Sequence, residues 1–240
     1  MAPTLSHLKH DFEVMTNPEQ AVILQRFFKT GPGQYGEGDV FLGIKVPPQR
    51  TLAKQYRDLP LDDVASLLQS KIHEHRLTAL LILIQKYEKA DAGSRKKIFY
   101  LYLKYRKWIN NWDLVDLSAP NIVGNYLLDK DRAILYRLAQ SKSLWDKRIA
   151  ILATFEFIKH GHAEDTFAIA EILLNDNHDL IHKAVGWMLR EVGKRIDQAA
   201  EESFLQKHCR RMPRTMLRYA IERFSPALKK KYMAKYTQWV

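Results

Sequence analysis

The sequence predicts an all-α fold: an α-solenoid of HEAT-like antiparallel helix pairs, C-shaped, with a basic concave face. Three observations lead there. Apolar residues recur at three- and four-residue spacing, as in Leu77, Leu80, Leu81 and Ile84, or Ile149, Leu152, Phe155 and Ile158; this is the stripe of an amphipathic helix. Glycine and proline are few, ten and nine in 240 residues, and no two alternating segments flank a turn as a hairpin requires. The helical segments also recur in pairs, and a period of this length without strands indicates stacked helix pairs.

Taken in order, Asn17-Pro18-Glu19 is a helix start, with Asn as N-cap and Pro at the first helical position. Leu59-Pro60 and Arg211-Met212-Pro213 punctuate in the same way. Between them the pairs are 61–70 with 73–90, 94–107 with 110–127, 131–140 with 145–160, 164–175 with 178–195, and 197–209 with 212–224. Second members begin at 73, 110, 145, 178 and 212, so the spacings are 37, 35, 33 and 34. The expected architecture is one domain over residues 1–240, a right-handed stack of about six pairs.

Charge bounds the partner. Lys and Arg number 38 against 27 Asp and Glu, a formal +11. Residues 205–240 hold ten bases (Lys207, Arg210, Arg211, Arg214, Arg218, Arg223, Lys229, Lys230, Lys231, Lys235) and one acid, Glu222. Arg95 to Lys107 adds six bases and no acid. Such an excess favours a polyanion, either nucleic acid or an anionic membrane surface. No apolar run reaches the ~18 residues of a membrane span, and the first residues lack a signal-peptide core. The lone Cys209 excludes an internal disulfide and argues against thiolate zinc. The expectation is a cytoplasmic, nucleoid-associated monomer with no membrane, cofactor, metal or obligatory protein partner.

Aligning the second helices by their apolar stripes exposes one column. Arg76, Arg148, Lys183 and Arg214 occupy it, and the remaining repeat has Asp116. Second helices commonly line the concave face of an α-solenoid, where a row of cations would track a phosphate backbone; the alternative is a set of ordinary solvated charges. Arg190 and Arg218 complete the candidate DNA-binding set. Trp112 lies four residues before Asp116, and Trp187 four after Lys183, so each shares a face with the column. Trp108 and Trp145 are the core candidates; Trp239 is the fifth tryptophan. An aromatic face beside a carboxylate suits a cationic organic ligand.

Three segments, Asn110-Asn-Trp-Asp-Leu-Val-Asp116, Leu144-Trp-Asp-Lys-Arg-Ile-Ala-Ile-Leu152 and Ile181-His-Lys-Ala-Val-Gly-Trp-Met-Leu-Arg-Glu191, carry a resemblance to the DNA alkylation-repair glycosylases built of HEAT-like repeats, the AlkD-like family. Phe41-Leu-Gly-Ile-Lys-Val-Pro47 resembles that family's N-terminal segment. The resemblance implies that Asp116 is the catalytic aspartate, that Trp112 and Trp187 contact the lesion-bearing nucleotide, and that Arg148 helps hold the DNA backbone. It also implies that the lesion is attacked without leaving the base stack. Asn111 stands where the family often has a second tryptophan, Phe27 where it can have Tyr, and Gly31 to Asp39 forms a longer glycine-rich loop.

The chemistry is consistent with those roles. Cleaving an N-glycosidic bond builds positive charge on the sugar, which a carboxylate stabilises while positioning water. A purine alkylated on a ring nitrogen already carries a positive charge and leaves without a general acid, so one carboxylate suffices. N3-methyladenine and N7-methylguanine in double-stranded DNA are the expected substrates. Other signals are weaker. The loop Gly31 to Gly38 lacks the Gly-Lys-Ser/Thr of a phosphate loop, and His73/His75 and His160/His162 lack metal-ligand spacing. Two alternatives stand beside the glycosylase: a non-catalytic DNA-binding solenoid recognising distorted or branched DNA, and a protein-interaction scaffold. A pure DNA binder has no use for a carboxylate among phosphate-facing bases, and a scaffold has none for the basic column.

Overall fold

The computed structural model of the protein describes residues 4–237, with side chains as far as residue 234. Trp239 and the Lys235 side chain lie outside the described residues. The helices are α1 (Leu5–Val14), α2 (Pro18–Phe27), α3 (Val46–Gln55), α4 (Leu61–Leu68), α5 (His73–Lys89), α6 (Ala92–Tyr105), α7 (Trp112–Ser118), α8 (Asn125–Leu127), α9 (Ala133–Ala139), α10 (Leu144–Lys159), α11 (Glu164–Leu173), α12 (Asp179–Arg195), α13 (Gln198–His208), α14 (Arg214–Ala220) and α15 (Pro226–Thr237). Among the described residues no strand forms, and Val40 and Ile72 make an isolated parallel bridge. No described helix is long and apolar enough to cross a membrane.

The chain divides into two compact units, Met1–Ser118 and Ala119–Val240. In the first, α5 packs on α3, α4, α6 and α7. Leu77 to Ile84 of α5 are all buried, as expected for a helix enclosed by neighbours on every side. Its first turn is buried too, although His73, Glu74, His75 and Arg76 are polar. Such burial is tolerable only when each group finds partners. Glu74 accepts the backbone N–H groups of Leu42, Gly43 and Ile44 at 2.9–3.2 Å, tying the Phe41–Pro47 segment to α5. His75 pairs with the Ser70 hydroxyl at 3.0 Å. Burial, aided by Lys9 and Arg76, pushes the His75 pKa down to about 4, so the ring is neutral there.

In the second unit the second helices neighbour one another, α10 on α12 and α12 on α14, with α9 and α11 against α10 and α13 against α12. That stacking is the arrangement of an α-solenoid. Caps mark several starts as the sequence requires: the Asn17 side chain accepts the Gln20 N–H at 3.0 Å with Pro18 in the first turn, and Ser143 accepts that of Asp146.

The expected starts at 73, 110, 145, 178 and 212 fall at 73, 112, 144, 179 and 214. Two features differ. Helix α3 lies outside the five expected pairs; Pro47 and Pro48 sit in its first turn, where the missing N–H costs no helical hydrogen bond. The helix expected over 110–127 is interrupted: α7 is followed by a π-helical turn, Ala119–Gly124, before the short α8. Pro120 lies in that turn and has no N–H to return to the preceding turn, which an α-helix cannot accommodate.

Candidate active site and nucleic-acid interface

The first unit carries one cluster on α7. Asn111 is fully buried and its side-chain oxygen accepts the Trp112 N–H at 2.8 Å, setting the start of the helix. Leu114, Val115 and Ser118 face the interior, and the Ser118 hydroxyl meets that of Tyr102 at 3.0 Å. Trp112 and Asp116, one turn apart, are half-buried on a common face. Trp112 stacks on Phe28, centroids 5.3 Å apart at 19°, and meets Phe27 edge-on at 5.9 Å and 70°. Phe27 is itself 61% exposed. An apolar ring that exposed, beside a half-buried tryptophan and a carboxylate, forms an aromatic surface open to a flat ligand.

Asp113, between Trp112 and Asp116, has its own cation. His73 Nε2 lies 2.8 Å from one Asp113 oxygen, and His73 Nδ1 lies 3.1 Å from Asp39, at the end of the glycine-rich loop. Arg76 and Asn111 also donate to Asp39, at 2.7 and 3.3 Å. Burial opposes charge on His73, but Asp113 and then Asp39 outweigh it and raise the pKa to about 9. The loop itself is held by local bonds, Gly31 N–H to Gln34 and Gly33 N–H to Glu37. Gly36 passes so close to the chain at Phe28 that a Cβ would lie 2.4 Å from the Phe28 carbonyl oxygen.

The second unit gathers the cations. Lys183 and Arg190 of α12 and Arg218 of α14 line a cleft of about 600 Å³ together with Asp179, Thr215, Tyr219 and Glu222. Lys183 pairs with Asp179 at 2.7 Å, and Arg190 with Glu222. Burial would raise the Asp179 pKa, but hydrogen bonds from Lys183 and Thr215 hold it below the ordinary value. Arg214 and Arg218 are exposed. Trp187, on α12, is half-buried; its indole N–H donates to Glu191 at 3.3 Å, and its ring lies 6.2 Å from Phe155. Glu191 also accepts Arg195, whose guanidinium covers Phe155 at 5.0 Å. Trp187, Glu191, Arg195 and Phe155 thus close a ring that fixes the indole plane.

Close approach of α12 and α14 depends on Gly186. A Cβ there would lie 2.4 Å from the Met216 carbonyl oxygen and 2.6 Å from the Tyr219 Cβ. Gly186→Ala should therefore destabilise the protein by about 1–3 kcal/mol and weaken DNA binding together with it, as the cleft's two walls separate. A denaturant midpoint equal to wild type would show that the helices can part at no cost.

Two of the expected surface cations are elsewhere. Arg76 is 2% exposed, bonded to Asp39 and to the Ser70 and Lys71 carbonyls. Arg148 is 4% exposed, and its guanidinium donates to the Leu180 carbonyl at the start of α12. Both stand in the same column as Lys183 and Arg214, but α5 and α10 are buried on nearly all sides, so the column is covered there. Both act as internal struts. Trp108 and Trp145, expected in the core, are half-buried. Among the described residues no group of three or more His, Cys, Asp or Glu could hold a metal ion.

Sequence patterning did not single out Phe155, which reads as part of an apolar stripe, or Glu191, Tyr219 and Asp39. Only for α5 was a signal present: four consecutive polar residues opening an otherwise apolar helix.

The comparisons agree with this architecture. A solved structure described as a predicted DNA alkylation repair enzyme from Enterococcus faecalis superposes with a TM-score of 0.68 at 16% identity. The alignment covers 88% of this chain and 98% of that one, a likeness of fold. No curated protein sequence matches the chain. Residues 8–224 match the family described as DNA alkylation repair enzyme. With that match over most of its length, an all-helical fold shared with a protein so described, and α7 and α12 carrying the segments that resemble it, the chain belongs to the DNA alkylation repair enzyme family.

Proposed function

We propose that the protein is a monofunctional alkylpurine DNA glycosylase. It would hydrolyse the N-glycosidic bond of cationic N3-methyladenine and N7-methylguanine in duplex DNA. The observation that carries this reading is the pairing of Trp112 and Asp116 on one half-exposed face of α7, beside the exposed Phe27 ring. Asp116 supplies negative charge to the sugar as the bond to the base breaks. The base takes the bonding pair and departs neutral, while water adds to C1′ and its proton passes to Asp116 or solvent. Trp112 and Phe27 offer aromatic faces to a cationic nucleotide. Lys183, Arg190, Arg214 and Arg218 contact phosphates, and Trp187 presents an aromatic face beside them. Arg76 and Arg148 support the scaffold.

The test is release of methylated base from an N-methylated duplex, with the Asp116 substitution as control. DNA binding without base release would instead favour the non-catalytic solenoid. The protonated group next to α7, His73, is buried with both ring nitrogens engaged by Asp39 and Asp113, so it offers no proton to a neutral leaving group, and uracil in the same duplex should remain uncleaved.

Binding should weaken steeply with salt, as cations that meet phosphates release counterions. Arg218→Ala should lower affinity equally for methylated and unmethylated duplexes and reduce the salt slope by about one. Titrations at several salt concentrations measure this. A slope unaffected by the substitution would remove Arg218 from the interface.

A further inference from the structure

We propose that His73 is a positioning residue for this site: by bridging Asp39 of the glycine-rich loop to Asp113 of α7, it fixes the turn that carries Trp112 and Asp116. The inference rests on the glycosylase reading for what Asp116 does, and on the structure for how α7 is held. Helix α7 has only seven residues and runs into a π-helical turn, so its own hydrogen bonds stabilise it little. Leu114 and Val115 anchor its buried side, and the His73–Asp113 contact anchors the turn that also bears the exposed face.

Both ring nitrogens of His73 face carboxylate oxygens, at 3.1 and 2.8 Å. A neutral imidazole has one N–H and can serve only one of them, whereas the doubly protonated ring serves both. The charges around it balance: Asp39 and Asp113 against His73 and Arg76, with Arg76 on Asp39 at 2.7 Å. The ring also lies 4.5 Å from Phe41 and 4.9 Å from Phe28, and Phe28 is the ring on which Trp112 stacks. One side chain therefore touches both supports of the site, the carboxylate next to Trp112 and the phenyl ring beneath it. His73 also neutralises Asp113, which stands three residues from Asp116 on the same helix and would otherwise repel charge there. The glycine-rich loop gains a purpose: its close pass at Gly36 delivers Asp39 to the other ring nitrogen.

The experiment compares wild type, His73→Gln and Asp113→Asn in two measurements. In single-turnover excision at saturating enzyme, His73→Gln should slow the chemical step 10–100-fold with little change in DNA affinity. The wild-type rate should fall above about pH 9, as His73 loses its second proton among Asp39, Asp113 and Arg76, and that limb should vanish in the variant. Amide hydrogen exchange, which needs no catalysis, should be faster in 112–118 for His73→Gln and unchanged in 149–158. Asp113→Asn leaves His73 intact and should show the same pattern more weakly, which guards against misfolding of the first variant. If wild type releases no base, the glycosylase reading fails, and the exchange data still decide whether His73 holds α7. Wild-type rates and wild-type exchange in both variants would overturn the positioning role.

Discussion

Asp116→Asn is expected to slow single-turnover excision of N7-methylguanine by roughly 10²–10³, with duplex affinity unchanged or improved. The asparagine keeps the size of the side chain and its place on α7 but carries no charge. Loss of one such contact to developing charge typically costs about 3–4 kcal/mol of transition-state stabilisation, which is the rate change stated. Affinity moves the other way because a carboxylate facing phosphates opposes binding. Asp113 is engaged by His73 at 2.8 Å, so Asp113→Asn acts through position, whereas Asp116→Asn removes the charge proposed to act on the sugar. Wild-type and variant rates measured on one methylated duplex decide the matter. Equal rates would mean that Asp116 is structural.

The second large effect concerns stability against pH. Glu201 of α13 is 2% exposed, with one carboxyl oxygen lacking a hydrogen-bond partner. The other lies against Gly193 of α12, where a Cβ would sit only 1.8 Å away. Burial first, then the charge of Glu202, pushes its pKa from 4.5 up to about 8, against the pull of Arg190. Between those values the folded chain holds a proton that the unfolded chain has released. Stability therefore falls as pH rises from about 4.5 to about 8, by roughly 4–5 kcal/mol in total. His73 adds a loss of the same sign between 6.5 and about 9. Asp39, held below its ordinary value despite burial by His73 and Arg76, acts in acid: its contribution is lost as pH falls below 3.8. Glu201→Gln removes one of these components, so the gap between wild type and variant should widen in the variant's favour from pH 4.5 to 8. Urea midpoints across that range measure it. Parallel curves would show that Glu201 ionises freely in the folded state.

Much of the fold was legible because helices are local. The stripes Leu77–Ile84 and Ile149–Ile158, and the recurrence of second-helix starts, depend on spacing within a few residues, and the observed starts fall within two residues of those expected. Trp112 and Asp116 share a face for the same reason. Pro120, by contrast, broke a helix that periodicity alone would continue, although the proline was visible in the sequence.

What each column residue faces was decided elsewhere. Arg76, Arg148, Lys183 and Arg214 are equivalent in sequence register, yet the first two are interior struts and the last two lie at the surface. Spacing assigns a residue to a face of its helix, but only packing decides whether another element covers that face. In the same way nothing local pairs Asp39 with His73 or His73 with Asp113, contacts across 34 and 40 residues. The sequence by itself determined most of the helices, their repeat, the net charge and the Trp112–Asp116 face, all properties of composition or of short-range geometry. The tertiary structure alone decided which charges are buried, that Asp113 meets His73 and where the glycine-rich loop ends, because burial and long-range hydrogen bonding exist only once distant segments have packed.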